Sequence, residues 1–389
     1  DKLDSGCARD TFFFDDYSVV NHAGTSWTWV FPGATFVSGE NTRTPKAVFG
    51  KPGEYTAQMT LQTPQGIFRD TLLLRVGNGC DRDSFPGMAL QLDGSGDNAV
   101  ATDPLRLNSD TVTITTWIKR LGAQDGRAGI VFCRSSNTTA GIGFDGDRLS
   151  YHWNDAGWWW NSSLIVPQNE WVHVALVVEP TRVTMYLNGR PAVDNSARGP
   201  EEFDGPLTIG EDPNGGGRFF NGLVDEVCVY RRALSQAEIR EQMHLVKLDP
   251  NDASLRAYYQ FNEPGGQVLD RSGTRHLGLN GGAKRTASTL AVGPGFSARR
   301  NLTAPGTYYF GENVGFECST AQAGVQPGGE VCITRINLMP DATPSADPLS
   351  RGYGVVRNYG PNAVFAPLRE MRFYRIGRVH KLLYGIDGI

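Results

Sequence analysis

The sequence predicts an all-β protein built from tandem β-sandwiches, with one short helix near residues 234–244. The 389 residues include 47 glycines and 22 prolines, which recur between short apolar runs, as they do where short strands alternate with tight turns. Within these runs, apolar and polar residues alternate with the period of two that half-buried strands require. At roughly 150 residues per domain, a chain of this length predicts two to four domains.

Composition excludes two classes of function. The formal net charge of -4 and the sequence pI near 5.9 are not those of a basic, nucleic-acid-binding protein. The sequence has no apolar run long enough to span a membrane. Both ends look cut, so we expect the chain to be part of a longer parent protein whose other modules are its partners.

The first predicted domain covers residues 1–80. Residues 27–34 (WTWVFPGA) and 48–55 (VFGKPGEY) are strand-like runs with Pro-Gly turns. This stretch resembles the PKD repeat, and the resemblance implies an immunoglobulin-like sandwich that acts as a spacer or protein-contact module. Residues 81–87 are predicted to be a linker.

The second predicted domain covers residues 88–250. It contains the runs VTITTWIK (112–119), VTMYLNG (183–189) and FNGLVDEVCVY (220–230), followed by a capping box at Ser235 and Glu238 that predicts a helix start. In this order the motifs resemble the laminin-G-like, concanavalin A-like jelly roll.

The remainder is divided into a connecting segment (251–289), a C-terminal β-sandwich (290–379) and a tail or truncated linker (380–389). The C-terminal block contains the strand-like runs GTYYF (306–310), VCITRI (331–336) and MRFYRI (371–376). It resembles sandwich modules that stand beside PKD and laminin-G-like units in large surface adhesins of gliding-type bacteria.

The six cysteines suggest one disulfide per domain. Cys7 and Cys80 bracket the first domain, Cys133 and Cys228 lie in strands of the second, and Cys318 and Cys332 bracket a glycine-rich loop. Disulfides would imply an oxidising compartment. Six free thiols in a cytosolic protein is the alternative that the sequence leaves open.

No motif of a catalytic centre is present, so the sequence predicts no enzyme. Glycan-cleaving enzymes of the concanavalin A-like fold need two carboxylates on one strand, and no such string occurs. His173 lies in the middle of a predicted strand and is expected to be a packed core residue rather than a ligand.

Calcium is the predicted cofactor. Asp93 and Asp97 lie on a glycine-rich bend and offer carboxylate oxygens, the ligands that calcium prefers. In the laminin-G-like and pentraxin-like families calcium often lies between such a loop and a late Asp-Glu-Val strand, which here carries Asp225. The alternative is that Asp225 bonds to backbone amides.

A cluster of aromatic residues is the predicted ligand-binding surface. Trp158, Trp159 and Trp160 are consecutive, with Asn154 and Asp155 just before them. Indole faces stack on sugar rings and the amide and carboxylate can bond hydroxyls. Packing in the core or against another domain is the alternative.

These observations favour a non-catalytic segment of an exported bacterial protein, located outside the cell or on its surface. Its laminin-G-like domain would bind a glycan or a surface protein with calcium support. Two alternatives remain: a structural spacer or self-assembling subunit of a surface filament, and an accessory region of a secreted protease or glycosidase.

Overall fold

The computed structural model describes residues 5–7, 11–14, 16, 24–51, 53–77, 87–154, 160–214, 216–247, 252–263, 266–302, 306–311, 314, 316–320, 329–336, 353–359, 370–375 and 378–381. The chain divides into two compact units, Asp1–Asp83 and Ser84–Ile389. Strands dominate both units, which confirms the predicted all-β class.

The first unit is a small β-sandwich. Its described strands are β1 (Ser5–Cys7), β2 (Thr11–Phe13), β3 (Ser26–Val30), β4 (Ala34–Ser38), β5 (Lys46–Phe49), β6 (Gly53–Thr63) and β7 (Gly66–Gly77). One sheet has the order β1-β7-β6-β3 and the other β2-β5-β4. Its core is aromatic because alternate residues of the strands point inwards: Phe12, Phe14, Trp29, Phe31 and Phe49 are all buried.

The second unit begins with a jelly roll of two large sheets. Its strands are β8 (Met88–Asp93), β9 (Asn98–Ala101), β10 (Val112–Arg120), β11 (Gly129–Arg134), β12 (Thr139–Asp145), β13 (Arg148–Trp153), β14 (Trp171–Glu179), β15 (Arg182–Leu187), β16 (Arg190–Asp194), β17 (Leu207–Ile209), β18 (Asn221–Tyr230), β19 (Leu255–Tyr259), β20 (Gln267–Val268), β21 (Leu277–Asn280) and β22 (Lys284–Ala287). The eight-stranded sheet follows β16-β15-β14-β10-β18-β8-β22, with β19 also paired to β18, and the seven-stranded sheet follows β13-β12-β11-β17-β9-β21-β20.

Strands β10 and β14 are buried over nearly their whole length because both of their faces are covered. One face packs on the core between the two sheets, where Ile114, Ile118 and Val174 lie. The other face, which carries Trp117 and Ala175, is covered by residues that follow β18. His173 is 4% exposed on this second face, which confirms its prediction as a packed residue.

The helix α1 (Gln236–Gln242) follows β18 and lies in the predicted place. The Ser235 hydroxyl accepts from the Glu238 amide at 3.2 Å, and the Glu238 carboxylate accepts from the Ser235 amide at 2.8 Å, so the predicted capping box is confirmed. Among the residues the structure describes, no helix has the length and apolar character to cross a membrane.

The prediction that residues 251–289 form a connecting segment between two domains is wrong. Strand β19 pairs with β18, β21 pairs with β9, and β22 pairs with β8. The jelly roll therefore ends near residue 287 rather than at 250. The physical reason is that β8 and β9 would otherwise be edge strands with unpaired backbone groups, and β22 and β21 pair with these edges.

The C-terminal module consists of two further sheets. Its described strands are β23 (Gly295–Leu302), β24 (Gly306–Tyr309), β25 (Phe316–Thr320), β26 (Gly329–Ile336), β27 (Tyr353–Asn358), β28 (Glu370–Arg375) and β29 (Arg378–Lys381). The sheet orders are β23-β26-β27 and β24-β25-β28-β29. The predicted third sandwich is confirmed. The tail was predicted to begin at residue 380, but His380 and Lys381 still belong to β29, so this boundary is wrong.

Two of the predicted disulfides are not formed: Cys133, Cys228 and Cys332 are free, buried thiols. Cys133 points into the core between the sheets, whereas Cys228 lies on the far face of the eight-stranded sheet, so a sheet separates the two sulfurs. The Cys332 Sγ lies 3.3 Å from the Arg240 carbonyl oxygen of α1 and is not bonded to Cys318. The pair Cys7–Cys80 falls outside the described residues, because Cys80 is not among them.

Candidate functional site

The bend that carries Asp93 and Asp97 is held by its own hydrogen bonds. Asp97 is 3% exposed; its carboxylate accepts from the amides of Asp93 at 3.1 Å and Gly282 at 2.5 Å. One Asp93 oxygen accepts from the Ser95 amide at 2.7 Å. The two aspartates are neighbours, and their oxygens tie the bend together and fasten it to the β21–β22 turn.

Asp225 does not join them. It pairs with Trp117 of β10, while the same strand meets Asp93 only at Asn221, about four residues or 13 Å further along β18. Its carboxylate accepts from the Ser288 hydroxyl at 2.8 Å and from the Glu226 amide at 2.9 Å. Burial, and then the adjacent Glu226 charge, raise the pKa of Asp225 well above its usual range.

The calcium prediction on Asp93, Asp97 and Asp225 is therefore wrong for this set of residues. Calcium takes six to eight oxygens around one point, and these carboxylates lie apart and already bond protein donors. Within the described part of the chain, no group of three or more His, Cys, Asp or Glu side chains could hold a metal ion. The alternative weighed for Asp225, a bond to a backbone amide, is the one observed.

Of the residues in the predicted aromatic surface, the structure describes only Asn154 and Trp160. Trp160 is half-buried, packs on the core and meets the Tyr151 ring edge-on at 5.6 Å, so it is a packing residue. Asn154 lies in a turn with φ of 51°. Asp155, Trp158 and Trp159 lie outside the described residues.

A second candidate site lies on the seven-stranded sheet. In β12 and β13, Ile142, Tyr151 and Trp153 point into the core, so their immediate neighbours along each strand point to the opposite side. We call this side, over β11, β12 and β13, the polar face. Its members are Phe132, Arg134, Thr139, Asp145, Arg148, Ser150 and His152.

Two glycines shape the middle of the polar face. A Cβ on Gly141 would come within 2.4 Å of the Val131 carbonyl oxygen and 2.6 Å of the Phe132 ring. A Cβ on Gly143 would lie 2.7 Å from the Ala128 carbonyl oxygen. The absence of side chains at these positions lets the Phe132 ring lie flat against β12, where it leaves 4% of its surface exposed.

A network of charged groups lies beside this ring. The Asp212 carboxylate, 3% exposed, accepts from Arg134 Nε at 2.8 Å and from Arg218 Nη1 at 2.5 Å. Arg134 Nη2 also donates to His152 Nδ1 at 3.0 Å. Since a guanidinium can only donate, His152 Nδ1 is the acceptor and the neutral ring carries its proton on Nε2.

His152 stays neutral at ordinary pH. Burial is the main cause, and the positive charges of Arg134 and Arg218 add to it, so that the pKa of His152 falls to about 3. The ring is consequently a fixed hydrogen-bond donor at Nε2 that carries no charge.

These groups line a small pocket of about 30 Å³. Its wall includes the rings of Phe132 and His152, the Ser150 hydroxyl, two carboxylates (Asp145 and Asp212) and the exposed side chain of Arg127. A site of this volume holds about two water molecules. It therefore accommodates the polar edge of a ligand rather than a whole ring.

The loop before β12 is fixed next to the polar face by Asp204. The Asp204 carboxylate accepts from the Ser135 hydroxyl, from Thr138 Oγ1 at 2.8 Å and from Asn137 Nδ2 at 2.9 Å. These hydrogen bonds, that of Ser135 first, lower the pKa of Asp204 to about 2. The loop between β11 and β12 is thus held by bonds to a carboxylate.

Sequence reasoning missed the polar face. A signal was available, since in YHW (151–153) and TAGIGFD (139–145) the polar or glycine positions alternate strictly with apolar ones. The bonds from Asp212 could not be foreseen, because this residue is far from Arg134 in sequence and reaches it only through the fold.

The comparisons with known proteins agree with this architecture. Residues 93–240 match the family model of the Concanavalin A-like lectin/glucanases superfamily, so the second unit contains a concanavalin A-like, laminin-G-type jelly-roll domain. No curated protein matches the chain.

Several solved structures are similar at low identity. A candidate carbohydrate-binding protein from Bacteroides ovatus is 16% identical with a TM-score of 0.49, and the match covers 74% of this chain and 96% of that one. A heptameric pentraxin from Limulus polyphemus is 17% identical with a TM-score of 0.34, covering 41% and 82%. Domain 4 of an extracellular arabinanase from Geobacillus stearothermophilus, solved with arabinotriose, is 17% identical with a TM-score of 0.31, covering 55% and 86%.

Proposed function

We propose that the chain is a non-catalytic glycan-binding segment and that its jelly roll binds sugar at the polar face. The observation that carries the proposal is the pocket in which the Phe132 ring, the Ser150 hydroxyl, the His152 ring and the Asp212 carboxylate lie together. The superfamily match over residues 93–240 supports the same class of ligand.

The chemistry of this pocket suits a sugar. A sugar ring presents apolar C–H edges beside hydroxyl groups that both donate and accept. The Phe132 ring supplies apolar surface, His152 supplies a donor, and Asp145 supplies acceptor oxygens. The small volume of about 30 Å³ favours a shallow contact with one sugar, so we expect weak binding per site.

The state of Asp212 supports binding without cleavage. Glycosidases need two carboxylates with distinct roles, one of them protonated to act as the acid. Both Asp212 oxygens accept charge-assisted bonds from arginines, and its role is to orient Arg134 and Arg218. We therefore propose that a bound glycan leaves the site unchanged, which reducing-end analysis after prolonged incubation tests directly.

The proposal also includes location and context. We propose that binding takes place outside the cell, on an exported bacterial protein. The small sandwich of the first unit, with sheets of four and three strands, would act as a PKD-like spacer. Cell fractionation and surface labelling of the full-length protein test this part; a chain found only in the cytosol overturns it.

The binding test uses a glycan array and calorimetry on the full chain. Arg127→Ala and Asp145→Asn change groups at the pocket rim that are exposed or half-buried, so folding should be unaffected. We expect each to weaken binding about tenfold, as loss of one hydrogen bond to a charged group does. The matched control is Arg182→Ala, which removes an exposed arginine from the β14–β15 hairpin of the other sheet.

The outcomes separate clearly. Binding that both rim variants weaken and the control leaves intact supports the polar face as the site. Binding that survives both rim changes places the sugar elsewhere, and an array with no bound glycan contradicts the function itself.

A further inference from the structure

One arginine of the polar face differs from its neighbours. Arg148 begins β13 and points to the same side as Ser150 and His152, since the residues between them, Leu149 and Tyr151, lie in the core. Its Nε is buried and has no hydrogen-bond partner among the described residues.

The surrounding arginines are satisfied by carboxylates. Arg134 and Arg218 share Asp212, and Arg198 pairs with Asp194 at 3.0 Å. Asp145 lies directly across from Arg148 in the β12–β13 register, yet the two form no ion pair in the described structure. Arg148 thus has no counter-charge among the residues that the structure describes.

An acceptor from outside the chain would satisfy such a group. A guanidinium keeps its charge at any ordinary pH. A buried donor without a partner is unfavourable, and more so when it is charged. An anionic oxygen satisfies it best, because guanidinium–carboxylate and guanidinium–sulfate bonds are short, charge-assisted and often bidentate.

The position of Arg148 connects this need to the pocket. Arg148 stands two residues from Ser150 and directly across from Asp145, both of which line the pocket. Residues two apart on one strand face are separated by about 7 Å, which is close to the distance between a ring hydroxyl and the acidic substituent of the same sugar. Asp212 cannot compete for Arg148, because its oxygens already bond two other arginines.

We infer that the glycan bound at the polar face is anionic, and that Arg148 pairs with its carboxylate or sulfate group while the pocket holds neighbouring hydroxyls. This inference rests on the proposed function and goes beyond it by assigning the ligand class. Arg148 is then the residue that separates acidic from neutral sugars.

The test uses the full chain and polysaccharides that differ only in charge. Polygalacturonate is compared with its fully methyl-esterified form, and chondroitin sulfate with its desulfated, carboxyl-esterified form. We expect the wild type to bind at least one acidic form about tenfold or more tightly than its neutral partner, and added NaCl to weaken only the acidic binding.

The variant Arg148→Met keeps the length of the side chain and removes its donors. We expect it to lose about tenfold in affinity for the acidic polymer, while binding to the neutral form is unchanged. Arg148→Lys keeps the charge without the fork and should recover part of the loss. Arg182→Met, in an exposed ion pair on the other sheet, should bind as the wild type does.

Each result decides one question. Equal binding of acidic and neutral forms overturns the inference and leaves the proposed function standing. Acidic preference that survives Arg148→Met overturns the assignment to Arg148. Failure of every polysaccharide and every array glycan to bind overturns both. Should Arg148→Met fold poorly, the salt dependence of the wild type still decides between acidic and neutral ligands.

Discussion

The guanidinium carbon of Arg240, in helix α1 of the jelly roll, lies 3.8 Å from the ring centre of Tyr359 in the C-terminal module. Its Nη1 donates to the Glu330 carboxylate at 2.7 Å, and Arg299 bridges the other Glu330 oxygen to Glu241 of the helix. One arginine therefore joins the helix to the module through both a cation–π contact and an ion pair.

We expect Arg240→Met to loosen the C-terminal module. The side chains of Arg240 and Glu330 are only 12% and 16% exposed, so Arg240→Met leaves one poorly solvated Glu330 oxygen without its donor, while Arg299 still bonds the other oxygen. We expect a loss of about 1–2 kcal/mol. Chemical denaturation followed by limited proteolysis should show the module becoming cleavable at lower denaturant. The exposed-site variant Arg182→Met should behave as the wild type; identical proteolysis of the two variants contradicts the prediction.

A second prediction concerns the glycines of the polar face. Gly141→Ala places a methyl group within 2.4 Å of the Val131 carbonyl oxygen, and backbone must move to relieve this. Overpacking of this kind is destabilising by about 1–3 kcal/mol. Urea unfolding measures the change. Gly126→Ala is the control, because its Cβ would meet nothing within 4 Å and should leave the midpoint unchanged.

A third prediction follows from the depressed pKa of His152. The folded state lowers this pKa from 6.5 to about 3, so between these values the unfolded chain binds a proton that the folded chain does not. Stability is therefore lost as the pH falls below 6.5, by about 1.36 kcal/mol per pH unit, or about 2 kcal/mol at pH 5.

The measurement compares His152→Gln with the wild type at pH 7 and pH 5. The loss of unfolding free energy between the two pH values should be smaller in the variant by about 2 kcal/mol. The other titrating groups are common to both proteins and cancel in this difference. A variant with the same pH dependence as the wild type would falsify the assignment of a neutral, buried His152.

A fourth prediction concerns the thiols. Burial raises the pKa of Cys133 to about 12 and that of Cys332 to about 11, so the reactive thiolate is nearly absent at neutral pH. Iodoacetamide should label Cys133, Cys228 and Cys332 only after denaturation. Peptide mapping without reduction should recover all three unlinked; a peptide joining Cys133 to Cys228 contradicts the structure.

The sequence predicted the larger architecture correctly where local signals are strong. Strict alternation in the first unit, the ordered strand motifs of the jelly roll and the Ser235 capping box all depend on residues close together in the chain. The end of the jelly roll was misplaced because β22 contributes pairing to β8, a relationship that no local pattern records.

The predictions of a calcium site on Asp93, Asp97 and Asp225 and of a Cys133–Cys228 disulfide failed for the same physical reason. Asp93 and Asp225 are acidic residues on paired strands, but the register sets them apart along β18. Cys133 and Cys228 belong to different sheets and face different sides. In both cases the residue types suited the predicted bond or metal site. The distance between the side chains depends on strand register and on which sheet each strand joins, and the sequence pattern does not reveal either.

The pairing of β8 with β22 has a consequence for biogenesis. Ala89 and Thr286 are register partners, so about 200 further residues must be synthesised before the edge of β8 is paired. Contacts of such long range slow folding. During synthesis that edge is open to pairing with another nascent chain. A chaperone bound to the nascent chain until β22 has been synthesised would prevent this pairing.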